Sequence, residues 1–298
     1  MALNPSQKNM LSPEKIRDIL YQTDMHIHVG IELPIPLADF LEYLKNKDLV
    51  NIGLLDHFEM YYTPTRPWQF TKYLDKRRNR LPYKPTLKGL KDFYRRIQQV
   101  KKESHDFKVF VGLECQAPNL DRIPAWIFEQ IELLGCCYHD TNLSISWAKN
   151  VIPVVKKLSE LKRRYKIPIV NLHHPLRTRL IDYRDSFSET GKIKSINKIF
   201  GYSSLNEVAS YLKGKEVFFE MNGHTCFHYL KNFSAGQNLF FEVHQALATK
   251  GVDFSIGSDA HSIEGEKNPL RHFVDHFYPH YMHNFSRLIK LREFKVPV

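Results

Sequence analysis

Along this chain, histidines and carboxylates stand at the ends of apolar runs, and these are the residue types that hold cations. The first run ends Asp24-Met25-His26-Ile27-His28. In an extended segment residues i and i+2 face one side, so His26 and His28 project together. Neutral imidazole is the commonest metal ligand, and two on one strand make half a site. Further runs end in Asp56-His57, Gly112-Leu113-Glu114, Cys136-Cys137-Tyr138-His139, His173-His174-Pro175 and Gly257-Ser258-Asp259-Ala260-His261. A glutamate following Val109-Phe110-Val111 is costly to bury unless it is paired, hydrogen-bonded or bound to a cation. Six apolar runs that end this way point to a metal centre.

The elements that must position these groups follow a regular rhythm. Strands are predicted over Tyr21–Val29, Leu49–His57, Lys108–Cys115, Leu133–His139, Ile167–His174, Glu216–Asn222 and Val252–Asp259. Helical patterns lie between them over Pro36–Lys47, Thr86–Glu103, Ile123–Ile131, Ser144–Tyr165, Ser204–Lys213 and Gly236–Lys250. Alternation of strand and helix implies an α/β fold with a mostly parallel sheet covered by helices. Ser203 or Ser204 is a candidate N-cap, and Pro153 should kink or split its helix. Residues 58–85 and 177–202 break the rhythm and read as loop insertions at strand ends, where α/β enzymes bind ligands. The whole chain, 1–298, reads as one domain. Strand parity puts Gly112 on the side of Glu114, Gly53 with His57, Gly135 and Cys137 with His139, and Gly257 with Asp259. Cys115 and Cys136 then face the helices, and all four cysteines read as core filling.

The composition, 43% hydrophobic and 25% charged, excludes a disordered chain. With 43 Lys+Arg against 32 Asp+Glu the formal charge is +11, which favours anionic partners such as phosphorylated substrates or nucleic acid. Four cysteines in 298 residues are too few for a disulfide scaffold and fit a reducing, cytoplasmic setting. The first residues are polar and no run reaches the roughly 18 apolar residues of a membrane span, so no membrane association is expected.

The motif set DxHxH, DH, GLE, a strand-end His, HP and GSDAHS resembles the PHP family, named for polymerase and histidinol phosphatase, from about Thr23 to Ser262. The resemblance implies a distorted seven-stranded (β/α)7 TIM-like barrel with divalent metal ions, two or three of Zn, Mn or Fe, at its C-terminal mouth. It assigns one ion to His26, His28, Glu114 and Asp259. A second would lie on Glu114, His139 and His174, with Glu114 bridging, and His57 and His261 would belong to a third. His174 is preferred because the family's ligand directly precedes the proline; adjacent strand residues face opposite sides, which leaves His173 to support the ligands from behind or to serve the structure. The third position lacks the family's further ligand after His28. Only Glu32 could substitute, and it reads better as a solvated loop residue.

The activity implied is hydrolysis of a phosphomonoester resembling histidinol phosphate. Paired cations about 3.5–4 Å apart activate water and clamp a phosphoryl group. Glu114, Asp259, His57 and His261 are the expected catalytic groups, either histidine serving as proton donor if no third ion uses it. Arg177 and Arg179, after the His174-Pro175 strand end, and Arg66, in the aromatic 61–70 stretch, are candidate phosphate binders, because the guanidinium fork matches phosphate oxygens. Lys76–Arg80 reads as an exposed face. Asp24, Asp56, Glu220 and Asn222 are candidates to orient imidazoles. Three alternatives stay open: a phosphodiesterase or nuclease on nucleotides or nucleic-acid ends, a non-catalytic metal-stabilised binding module, and amidohydrolase chemistry.

Overall fold

A computed structural model of the chain describes residues 12–32, 36–103, 105–138, 146–187, 199–232, 234–261, 270–277 and 282–290. The strands are β1 (Thr23–His28), β2 (Asn51–Leu55), β3 (Lys108–Gln116), β4 (Leu133–Cys137), β5 (Ile169–His173), β6 (Phe218–Asn222) and β7 (Phe254–Gly257). All neighbours pair in parallel, in the order β1 to β7. Parallel strands need crossovers that cover both faces, so their residues are buried almost throughout rather than alternately. The sheet curls until Ile27 bridges Ala260, nearly closing a TIM-like barrel. His28 N donates to the Ala260 carbonyl (3.0 Å), and Asp259 N donates to the His26 carbonyl (2.8 Å). The seam that closes the barrel is thus made beside the candidate ligands His26, His28 and Asp259.

β1 is not regular. Its register against β2 shifts between Asp24 and Ile27, the mark of a bulge, which re-aims side chains at a barrel rim. The bulge presses on the next strand: a Cβ built on Gly53 would sit 2.5 Å from the Met25 carbonyl oxygen. Only glycine allows that approach.

Helices Leu37–Asn46, Leu87–Glu103, Trp147–Tyr165, Tyr202–Leu212 and Ser234–Ala248 clothe the barrel. Leu87–Glu103 shows why: Leu90, Phe93, Tyr94, Ile97 and Val100 recur at helical spacing and are buried against the sheet. Pro153 does not split its helix, which runs unbroken from Trp147 to Tyr165. A proline there costs about 3 kcal/mol. Full burial of Val151, Val155 and Leu158, at about 1.5–3 kcal/mol each, outweighs it. The expected serine cap is also displaced. Gly201 occupies the N-cap of Tyr202–Leu212, while Ser204 Oγ accepts from Ala148 N (2.7 Å) and caps the start of the neighbouring helix.

Residues 58–85 are largely helical rather than a loop, with Phe58–Tyr61 and Trp68–Arg77 as α-helices and Thr63–Thr65 and Arg78–Arg80 as 3-10 turns. Arg177–Phe187 is likewise a helix, and residues 188–198 lie outside the described ones. At the barrel's lower end Ile19, Leu20, Leu288 and Ile289 gather with Met25, Phe110 and Ile169, and leave the upper rim to polar groups. No helix among the described residues is long and apolar enough to cross a membrane.

Candidate metal centre

At the C-terminal rim the strands deliver their ends to one place. His26 and His28 on β1 bring their Nε2 atoms to 3.0 Å from each other. Glu114 Oε2 lies 3.3 Å from His26 Nε2 and 3.2 Å from His28 Nε2. Asp259 Oδ1 lies 3.5 and 3.1 Å from the same two nitrogens. These four donor atoms therefore stand 3.0–3.5 Å apart along every one of those separations. A tetrahedral ion with bonds of about 2.0–2.1 Å needs ligand edges of roughly 3.4 Å. Five of the six edges lie near that spacing, and His26, His28 and Asp259 form a group that could hold a cation.

Glu114 divides its two oxygens. Oε2 also meets His57 Nε2 (3.2 Å), while Oε1 faces His173 Nδ1 (2.9 Å) and His174 Nε2 (3.2 Å). Both histidines reach it because β5 ends at His173 and His174 has φ +31°, so strand alternation no longer applies. The expectation that only one of the two histidines could face inward is corrected accordingly. Its ring stacks on that of His26 at 3.8 Å and lies over Gly135, where a Cβ would come within 1.9 Å of it. Gly257 makes the same allowance for His26 and Glu220, whose atoms would lie 2.4 Å from a Cβ there. His139 lies outside the described residues.

A third cluster forms around Glu32, which is buried in the site rather than solvated. Its Oε2 is 2.7 Å from His28 Nδ1, 3.6 Å from His57 Nε2 and 3.5 Å from His261 Nε2, yet is aligned for a hydrogen bond with none of them. A buried carboxylate oxygen ringed by three imidazoles makes a group that could hold a cation. A lone acid four residues past HxH is common in loops, which is why Glu32, though the one candidate there, read as solvated. Cys137 was missed. It was read as core filling, but it lies with His57 and Glu114 and lines the cleft, as its parity with Gly135 allowed.

Electrostatics point the same way. Glu32, Glu114, Glu220 and Asp259 each lie within 3.6 Å of an imidazole nitrogen, and among the described residues Arg177 is the one guanidinium paired with them. Four negative charges against one positive leave three to be balanced by protons or ions. Burial pushes Glu114 up, but His26 and His57 override it and hold the carboxyl well below its ordinary range. Burial likewise lowers His26, and the carboxylates of Glu220, Glu114 and Asp259 overcome it to raise the ring to about 10. Burial, reinforced by Arg177, depresses His174 to about 3. Asp259 is held well below its ordinary value against burial, chiefly by Arg177.

The surrounding groups sort themselves by what they touch. Glu220 Oε1 meets His26 Nδ1 at 2.6 Å, and its Oε2 accepts from His174 N (2.6 Å) and Asn222 Nδ2 (3.1 Å). Such a carboxylate fixes the ring and its tautomer. Asp24 and Asp56 instead hold backbone. Asp24 Oδ1 accepts from His26 N and Ser258 N, while Asp56 accepts from His57 N, Ile31 N and the Tyr61 hydroxyl.

Of the three arginines, only Arg177 lines the cleft. Its Nη2 donates to Asp259 Oδ2 and to Asn222 Oδ1 (3.1 Å), and its guanidinium lies 5.3 Å over the Tyr229 ring. Arg179 is buried, with Nη1 donating to the Ile199 carbonyl. Arg66 donates to the carbonyls of Glu59, Met60 and Pro85. Both of these tie chain together and do not face the cleft. The expectation failed because an arginine near a strand end can equally well satisfy loop carbonyls.

The cleft above the cluster measures about 390 Å³, and Glu32, His57, Phe70, His174, His224, Tyr229 and His261 are among its walls. A larger groove of about 640 Å³ lies on the outer face of Leu87–Glu103, with Lys91, Arg95, Lys102 and Trp126. None of the clustered histidines and carboxylates lines it, whereas Glu32, His57, His174, Asp259 and His261 line the smaller cleft. No family model matches the chain, and no curated protein matches it.

Proposed function

We propose that the chain is a metal-dependent phosphoesterase of the PHP type, a single-domain hydrolase acting on a small phosphomonoester. The observation that carries this reading is the division of Glu114, Oε2 toward His26, His28 and His57 and Oε1 toward His173 and His174. A carboxylate shared in this way fits two neighbouring ions. His26, His28, Glu114 and Asp259 would hold one, Glu114 with His173 or His174 another, and Glu32, His57 and His261 a third. Bound divalent cations, of the Zn, Mn or Fe class by their mixed imidazole and carboxylate donors, supply activated water at neutral pH and offset charge on a phosphoryl group.

The remaining work falls to the chain. Arg177, fixed by Asn222 and Asp259, presents its fork to phosphate oxygens from the cleft wall. His261 has a side chain 37% exposed and its Nδ1 is anchored on the Asp259 carbonyl, which leaves Nε2 at the mouth to protonate a leaving alkoxide when no third ion occupies it. Phe70 and Tyr229 shield the walls from water. The volume of about 390 Å³ suits a small molecule, which favours a phosphomonoester over a nucleic-acid end.

The test is a panel with purified protein supplied with Zn²⁺, Mn²⁺ or Fe²⁺. Release of phosphate from an aryl phosphate, with little cleavage of an oligonucleotide, is the expected outcome. Oligonucleotide cleavage alone, or amine release without phosphate release, would contradict it.

A further inference from the structure

We propose that Glu59 is a positioning residue whose Oε2 holds the His57 ring in the tautomer protonated on Nδ1, leaving Nε2 to take a cation. The inference rests on the metal-centre reading above. Glu59 lies in the short helix Phe58–Tyr61, which starts directly after His57, and it is fully buried. Its two oxygens are used very differently. Oε1 accepts from Gln116 N (2.9 Å), Asn119 Nδ2 (2.6 Å) and the Cys115 thiol (3.6 Å). Among the described residues Oε2 has no hydrogen-bond partner, and neither has His57 Nδ1, which lies 4.0 Å away.

A buried carboxylate oxygen without a donor is expensive, so its direction is informative. It faces the one ring nitrogen that the metal cluster does not use. The other, His57 Nε2, lies 3.2 Å from Glu114 Oε2 and 3.6 Å from Glu32 Oε2. An imidazole ligates only through its unprotonated nitrogen, and a carboxylate only accepts. Glu59 therefore selects the proton on Nδ1. The gap is about 1 Å beyond a hydrogen bond, so a small ring shift when an ion seats on Nε2 closes it. Partners of this kind typically change metal affinity by about 10–100-fold.

Glu59→Gln isolates the effect. The amide oxygen can keep the bonds to Gln116 and Asn119, while the NH₂ faces Nδ1 and forces the proton onto Nε2. The experiment uses the full chain and Zn²⁺ alone, with competitive zinc titration, melting of the metal-free protein, and histidine nitrogen NMR of the zinc-loaded wild type. Expected are a wild-type His57 protonated on Nδ1, one zinc equivalent bound about 10–100-fold more weakly by E59Q, and unchanged metal-free melting. Asn119→Ser, which touches only the Oε1 side, should bind zinc like the wild type. Equal zinc affinity in E59Q and wild type overturns the inference, as does an Nε2-protonated His57. So does a zinc loss in N119S equal to that of E59Q, together with lower metal-free melting, which would make Glu59 a structural anchor. The wild-type spectrum decides even if E59Q does not fold. Wild-type protein that binds no zinc overturns the metal-centre reading itself, and the inference with it.

Discussion

His173 Nδ1 lies 2.9 Å from Glu114 Oε1, and its ring covers Gly135 so closely that a Cβ there would come within 1.9 Å. Gly135 thus sets the position of His173. Gly135→Ala should push the ring off Glu114, cost about 1–3 kcal/mol as other overpacked cores do, and weaken metal binding. Thermal denaturation and zinc titration of G135A measure both. Wild-type values in each would show that His173 is free to move.

Arg177 is the cationic wall of the cleft. Charge-assisted hydrogen bonds are worth about 1.5–3 kcal/mol, so Arg177→Gln should lower kcat/KM for a phosphomonoester by about 10–150-fold. Arg177→Lys should recover only part of it, since a point charge lacks the fork. Steady-state kinetics with metal content measured in parallel make the check. Unchanged kinetics in R177Q would remove Arg177 from substrate binding.

Metal-free and metal-loaded protein should respond oppositely to pH. In the chelated chain His26 is raised to about 10, burial opposing and Glu220, Glu114 and Asp259 prevailing. A raised imidazole contributes stability fully below its ordinary value near 6.5 and loses it as pH climbs toward the folded value. The melting temperature of chelated protein should therefore fall between about pH 6.5 and 10. Loaded protein should hold or gain over that range, because its ligands must be deprotonated. Parallel melting curves with and without chelator decide, and identical slopes would contradict the cluster's cation demand.

His244, buried among Phe219, Phe240 and Phe254, provides a test remote from the metal ligands. Burial lowers it to about 4 despite its contacts with the Phe240 and Glu220 carbonyls. A depressed imidazole contributes stability above about 6.5 that is lost as pH falls toward 4, because the unfolded ring protonates first. His244→Phe should therefore show a smaller loss of stability than wild type between pH 6.5 and 4 in denaturant titrations. An unchanged slope would mean that His244 is protonated in the fold.

Much of this was legible in the residues. Seven apolar runs alternating with helical periodicity suffice for a parallel α/β barrel, and His26, His28, His57, Glu114, His174, Asp259 and His261 all stand at strand ends that meet. What was lost was lost to backbone geometry. Parity forbade His173 and His174 from sharing a side, but parity ends where His174 turns to φ +31°. Glu32 was noticed but read as solvated, and Glu59 was missed, because a loop acid and a helix acid carry no periodic signal. Arg66 and Arg179 were indistinguishable from phosphate binders because loop carbonyls recruit the same donors. The helices within 58–85 escaped because prolines at 64, 67, 82 and 85 bracket them rather than interrupt them.

The bridging role of Glu114 is the centre of the account, and elemental analysis of purified wild type and Glu114→Gln, run beside a phosphate-release assay, tests it most directly. The account predicts two or three divalent ions per wild-type chain, and in E114Q loss of occupancy at both sites that share the carboxylate, together with loss of the activity. Metal-replete wild type without ions, or an E114Q protein with full occupancy and full turnover, would contradict it.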